Sequence, residues 1–128
     1  MKSIDQIQLF LGDCALELKN FEDNSIDLIF TSPPYADSRK NTYGGIHPDD
    51  YVEWFLPISR ELLRCLKPSG TFILNIKEKV VNGERHTYVI DLIKEILILG
   101  NGQIDLGIHG KDLYSLTKIS ILICTRKK

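Results

Sequence analysis

Thr31-Ser32-Pro33-Pro34-Tyr35 sets two adjacent prolines between a hydroxyl and an aromatic ring. Proline has no N–H to donate and a locked φ, so such a turn holds neighbouring carbonyl oxygens free and fixed. The Ser32 hydroxyl and the carbonyls of Ser32 and Pro33 could accept hydrogen bonds from a planar amino group. That nitrogen is a poor nucleophile, because its lone pair is delocalised into the ring or carbonyl that bears it. Acceptors on its N–H bonds push it toward tetrahedral geometry and free the pair, with groups pre-aimed at the developing charge. Tyr35 adds a flat face on which an extruded base could stack. The chemistry implied is attack by an exocyclic amino nitrogen on an electrophile held nearby.

The turn follows IDLIFT (26–31), an apolar, β-branched run of the length of a buried parallel strand. Upstream, IQLFLGD (7–13) reads as a short strand closed by Gly-Asp, and CALELKNF (14–21) as a short helical stretch. PPYADSRKNTYGGIHPDD (33–50) is a polar connection of a length usually reserved for function or disorder. Pro48, Asp49 and Asp50 announce a helix start. YVEWFLPISRELLRCL (51–66) follows, with Trp54 and Phe55 as core residues and Pro57 predicting a kink or a later start. KPSG (67–70) is a turn and TFILNI (71–76) a second buried strand. KEKVVNGERHT (77–87) is a charged loop around an Asn-Gly turn, and YVIDLIKEILIL (88–99) an apolar helix closed by Gly100. QIDLGI (103–108) and KISILICT (118–125) read as a closing hairpin across HGKDLYSLT.

The predicted order β-α-β-α-β-α-β-β is that of an α/β protein with helices packed on a mostly parallel sheet. Ligands of such sheets sit beyond the carboxyl ends of the strands. Gly12-Asp13, Ser32 to Tyr35 and Asn75 to Lys79 all fall there.

Composition narrows the alternatives. A chain of 128 residues that is 43% hydrophobic and 26% charged suits one soluble domain with a real core. Net charge is -1, so any nucleic-acid surface must be a local patch. The apolar runs are too short to span a bilayer and the opening residues form no signal peptide, so a cytoplasmic protein is expected. Cys14, Cys65 and Cys124 are odd in number and far apart, which fits a reducing compartment and neither a disulfide framework nor a metal site. Cys14 and Cys65 are expected to be buried small apolar residues. No metal spacing links His47, His86 and His109.

The stretch LFLGDCALELKNFEDNSIDLIFTSPPY resembles the amino-methylating DNA methyltransferases of restriction–modification systems. The likeness continues through YVEWFLPISRELLRCLKPSGTFILNIKEKVVNGERHTYVIDLI, so it covers roughly residues 7 to 99. It implies a Rossmann-like methyltransferase sheet and transfer of a methyl group from S-adenosylmethionine to an exocyclic amino group of a flipped base in double-stranded DNA. A Ser in the first position of the proline motif implies cytosine N4, with adenine N6 the alternative. The resemblance makes Ser32, Pro33, Pro34 and Tyr35 catalytic and puts Asp13, Thr31 and Ser32 near the cofactor. The sequence speaks against carbon-5 cytosine chemistry, because neither Cys14 nor Cys65 lies in a Pro-Cys context.

One departure matters. The family grips its cofactor with a Phe-x-Gly-x-Gly-like loop after a strand, and no such sequence occurs here: Gly44-Gly45 lies in a polar loop and Gly100-Asn101-Gly102 follows a helix. Residues 1–128 therefore resemble a single catalytic half-domain of the permuted branch, in which that half comes first. A second polypeptide or a second copy that completes the cofactor site is one expectation. A catalytically silent remnant that at most binds DNA is the other. Arg39, Lys40, Lys77, Lys79, Arg85 and His86 border the expected site and read either as DNA phosphate contacts or as ordinary loop charges. Asp13 could instead cap the helix that follows it, and Asn75 could be a site contact or a turn residue.

Overall fold

The computed structural model describes residues 7–37 and 45–101, together with the backbone of strands 104–109 and 119–126. Arg39 and Lys40, and most of the HGKDLYSLT loop, lie outside the described residues. The elements are α1 (Cys14–Glu17), a 3-10 turn (Leu18–Asn20), β1 (Ile26–Thr31), a 3-10 turn (Pro48–Asp50) and α2 (Tyr51–Cys65). After them come β2 (Leu66–Lys77), the short pair β3 (Val80–Val81) and β4 (Glu84–Arg85), α3 (Tyr88–Leu99), β5 (Ile104–His109) and β6 (Ile119–Arg126).

The main sheet has the order β1-β2-β6-β5. β1 and β2 are parallel, with α2 as their connection, while β6 runs antiparallel to both β2 and β5. The α/β reading and the closing hairpin therefore hold. Ile29, Phe72, Leu74 and Ile76 are buried on one face of the sheet and join a core with Tyr51, Phe55, Leu62, Tyr88, Leu92 and Ile96 of α2 and α3.

The first predicted element is not formed. Residues 7–11 make no strand, and Ile7, Leu9 and Leu11 are 81%, 94% and 102% exposed. A strand satisfies its backbone only through a neighbour, and no described strand pairs with this run. Cys14 is exposed rather than buried, whereas Cys65 is buried as expected. Pro57 neither ends nor delays α2, which runs from Tyr51 to Cys65 with Pro57 inside it. The proline's own side chain is exposed, so its ring sits clear of the packed face.

KPSG survives as a bulge within β2. Between the pairs Ile26↔Leu66 and Leu28↔Thr71, β1 advances two residues and β2 five. Gly70 is buried in this loop-out, and a Cβ there would lie 2.6 Å from Leu66 Cδ1 and 3.0 Å from the Lys67 carbonyl. Leu66 is only 1% exposed and has no room to yield. Gly70→Ala is expected to destabilise the fold by ~1–3 kcal/mol, the usual range for overpacking, read as a lower urea midpoint.

One side chain ties the segment before β1 to α2. The Arg64 guanidinium donates to the Leu18 carbonyl at 2.9 Å and the Phe21 carbonyl at 2.9 Å, and pairs with Asp23 and Glu61. Planar donors in a fork let one arginine satisfy two carbonyls and two carboxylates at once. The entry into β1 is thereby fixed against the helix.

Candidate active site

Parallel pairing brings the carboxyl ends of β1 and β2 side by side, with Thr31 opposite Leu74. The two segments expected at the site therefore meet. Asn75 Nδ2 donates to Ser32 Oγ at 3.5 Å, and Ser32 Oγ lies 3.5 Å from the Tyr35 hydroxyl. Asn75 Oδ1 is buried and accepts no hydrogen bond from the described residues. Asn75 therefore lies within β2 in contact with Ser32 and is not a turn residue. Thr31 closes the strand and is half-buried. Ser32 is exposed, Pro33 buried, Pro34 exposed and Tyr35 half-buried.

Below the turn stands an aromatic cluster that the sequence reading left out of the site. Tyr51 is fully buried and its hydroxyl donates to the Pro34 carbonyl at 2.7 Å. Its ring meets Trp54, Phe55 and Tyr88 at centroid distances of 5.3, 6.4 and 4.8 Å. Tyr88 donates through its hydroxyl to the carbonyl of Lys77, the last residue of β2. Each tyrosine is the first residue of its helix, so α2 and α3 each pin one strand end by a single hydroxyl. A signal was present: a polar-tipped ring stands where phenylalanine would fill the same core volume.

Burial is the main cause of a raised pKa at both tyrosines, and the neighbouring Tyr88 and Tyr35 add to it for Tyr51. Tyr88 is pushed up to about 12 from 10.0, chiefly by desolvation, with the neighbouring Glu78 and Tyr35 adding to the rise. The folded protein thus favours the neutral phenol more than the unfolded chain does. Its contribution to stability is fully present below pH 10.0 and is lost as pH rises through about 12. In urea titrations over that window the wild-type chain is expected to lose stability more steeply than Tyr88→Phe, which has no phenol to ionise.

The loops flanking the turn are tied together by charge. Lys79 Nζ lies 3.2 Å from Asp37 Oδ2, and the Asp37 N–H donates to the Ile46 carbonyl at 2.8 Å. Arg85 pairs with Glu78 at 3.0 Å. His86 Nδ1 accepts from the Tyr88 N–H at 3.1 Å, which leaves Nε2 as the donor to Asp49 Oδ1 at 2.7 Å. Of the basic residues expected to meet DNA, Lys79, Arg85 and His86 thus each reach a carboxylate of their own chain. Lys77 is half-buried at the strand end. Asp13 caps α1, its Oδ1 accepting from the Ala15 N–H at 2.8 Å.

The arrangement can present fixed acceptors to an amino group beside an aromatic ring. One Asp13 oxygen is taken by the cap, and the sequence has no Phe-x-Gly-x-Gly-like loop after β1 or β2. Among the described residues no group of three or more His, Cys, Asp or Glu side chains could hold a metal ion, and no helix is long and apolar enough to cross a membrane.

Comparison with known proteins agrees with this fold. The type II methyltransferase M.PvuII of Proteus hauseri is 37% identical over 75 residues, 59% of this chain and 22% of its own length. The DNA adenine methyltransferase YhdJ of Escherichia coli K12 is 37% identical over 73 residues, 54% of this chain and 24% of its own. Among solved structures, the cytosine-N4-specific PvuII DNA methyltransferase superposes with a TM-score of 0.66 at 23% identity, covering 93% of this chain and 48% of that one. A Thermus thermophilus protein described as a DNA modification methylase, solved with S-adenosyl-L-methionine, gives 0.65 at 24% identity, covering 91% and 51%. This chain thus spans under a quarter of these curated relatives and about half of the solved folds. The family model for DNA methylases matches residues 26–111, from the first residue of β1 to beyond β5, and the chain belongs to that family.

Proposed function

We propose that Ser32 to Tyr35 is the amino-acceptor side of a DNA methyl-transfer site that acts on the exocyclic nitrogen of a flipped base. The observation that carries this reading is the meeting of Asn75 with Ser32 at the paired strand ends. Because Tyr51 occupies the Pro34 carbonyl, the acceptors offered to a substrate are the Ser32 hydroxyl and the Ser32 and Pro33 carbonyls.

S-adenosylmethionine, when bound, supplies an electrophilic methyl group on sulfur. The acceptors of this chain would hold the amino hydrogens, freeing the nitrogen lone pair for attack, and the N–H proton displaced on methylation would pass toward those acceptors and then to solvent. Tyr35 would offer its ring to the extruded base, and Lys77, half-buried at the end of β2, is a candidate contact for the DNA backbone.

Cytosine N4 is the preferred target, on the Ser of the motif and the likeness to the cytosine-N4-specific PvuII enzyme. Adenine N6 is the second reading, since the E. coli relative named for adenine is equally identical over its match. The test is labelled S-adenosylmethionine with mixed-sequence duplex DNA, using the chain alone and with a polypeptide carrying the half of the solved methylase fold beyond this match. Digestion to nucleosides is expected to place the label in N4-methylcytosine. Label in N6-methyladenine would move the target to adenine, and no transfer under any pairing would sink the methyl-transfer reading.

A further inference from the structure

The turn that carries Ser32 leaves β1 and must keep its place beside β2, where Asn75 donates to Ser32 Oγ. Two prolines stiffen it as far as Pro34, whose carbonyl is held by Tyr51. Past Tyr35 the prolines no longer act, and the chain turns away at Asp37, which has a left-handed φ of 54°. Ala36 lies between, 3% exposed, and a buried N–H needs an acceptor. The Tyr88 hydroxyl supplies it, accepting from the Ala36 N–H while donating to the Lys77 carbonyl. A phenol can accept and donate at once, so one oxygen joins the turn to the last residue of β2.

That oxygen is rigidly placed. Tyr88 is 1% exposed, its ring meets Tyr51 at 4.8 Å and His86 at 5.9 Å, and its N–H donates to His86 Nδ1 at 3.1 Å. The Asp37–Lys79 pair, at 3.2 Å, crosses the same gap, but the flexible stem of a lysine fixes a distance loosely. We propose that Tyr88 is a positioning residue for methyl transfer, its hydroxyl setting the gap between the Ser32 turn and the end of β2. The proposal deepens the methyl-transfer reading and rests on it. Buried as it is, Tyr88 meets no base. It acts through Ala36 and Lys77 on where Ser32 lies relative to Asn75. Tyr51 and Tyr88 thus hold the turn at successive points, each as the first residue of a different helix.

Tyr88→Phe keeps the ring and removes the bridging oxygen. Hydrogen exchange of the Ala36 amide reads the bridge without any substrate. Normalised to the amide of Phe72 in the sheet, it is expected to quicken at least ~10-fold in the variant. Unchanged exchange would overturn the bridge. The labelled S-adenosylmethionine assay reads the consequence: kcat is expected to fall ~10–100-fold, the effect of a small misplacement at a reacting centre. KM for DNA should stay within about twofold, since the lost group makes no contact with DNA. Ile96→Val, a core truncation in the same helix, is the control for a merely structural role. If Tyr88→Phe transfers as fast as Ile96→Val at equal folded fraction, or raises KM alone, Tyr88 is a core residue and the positioning role is lost. Faster exchange in a chain whose wild type transfers no methyl keeps the bridge as structure and ends its role in transfer together with the methyl-transfer reading. Unchanged exchange beside intact wild-type transfer removes the bridge and leaves that reading standing.

Discussion

Ser32→Ala is expected to lower kcat for methyl transfer to DNA by ~10²–10³-fold, the range found when one pre-aimed polar group is removed from a reacting centre. The substitution deletes the acceptor nearest the expected nitrogen and also the atom to which Asn75 donates at 3.5 Å. Ser32 is exposed and packs against nothing in the core, so the loss should come without a change in the urea midpoint. Binding of DNA should change little, because the hydroxyl is asked to act as charge develops. Tyr35 should behave differently. Tyr35→Ala removes a stacking face worth ~1–3 kcal/mol per base and is expected to weaken DNA binding and turnover together. Tyr35→Phe keeps the ring and loses only a hydroxyl 3.5 Å from Ser32, so it should retain most activity. Single-turnover transfer and filter binding on the three variants separate the roles. Equal losses in Tyr35→Phe and Tyr35→Ala would overturn the stacking role.

Why this turn was legible in the sequence, and its support was not, has a physical explanation. β1 and the Pro-Pro turn announce themselves locally: an apolar β-branched run is stopped by residues that cannot extend it. The meeting of Ser32 with Asn75 was also within reach, since a helix between two apolar runs implies parallel strands with adjacent carboxyl ends. Residues 7–11 failed because propensity describes one strand while a ladder needs two. Lys79 and His86 find Asp37 and Asp49 across 42 and 37 residues of sequence, a pairing that no local pattern encodes. Periodicity correctly placed the helix aromatics in the core, but it could not say where a buried hydroxyl points.

Tyr51 shows how much depends on that direction. Tyr51→Ala is expected to cost ~3–5 kcal/mol, as large-to-small changes of buried aromatics do. The ring is 0% exposed and touches three other aromatic rings. Since a domain's whole stability is only ~5–15 kcal/mol, that variant should be largely unfolded at modest urea. Tyr51→Phe is the sharper probe. It keeps the ring and removes the hydroxyl that holds the Pro34 carbonyl at 2.7 Å from 17 residues away. The carbonyl then loses its protein partner, a change worth ~0.5–1.5 kcal/mol of stability, read as a lower urea midpoint. The turn itself has two prolines but no other described side chain gripping that carbonyl, so its position relative to Asn75 should loosen. Misplacement of about 1 Å at a reacting centre costs ~10²-fold in rate. Tyr51→Phe should therefore slow transfer far more than its modest loss of stability explains, at temperatures where the chain remains folded. If transfer instead tracks the folded fraction alone, Tyr51 is only a core residue and the prolines hold the turn unaided.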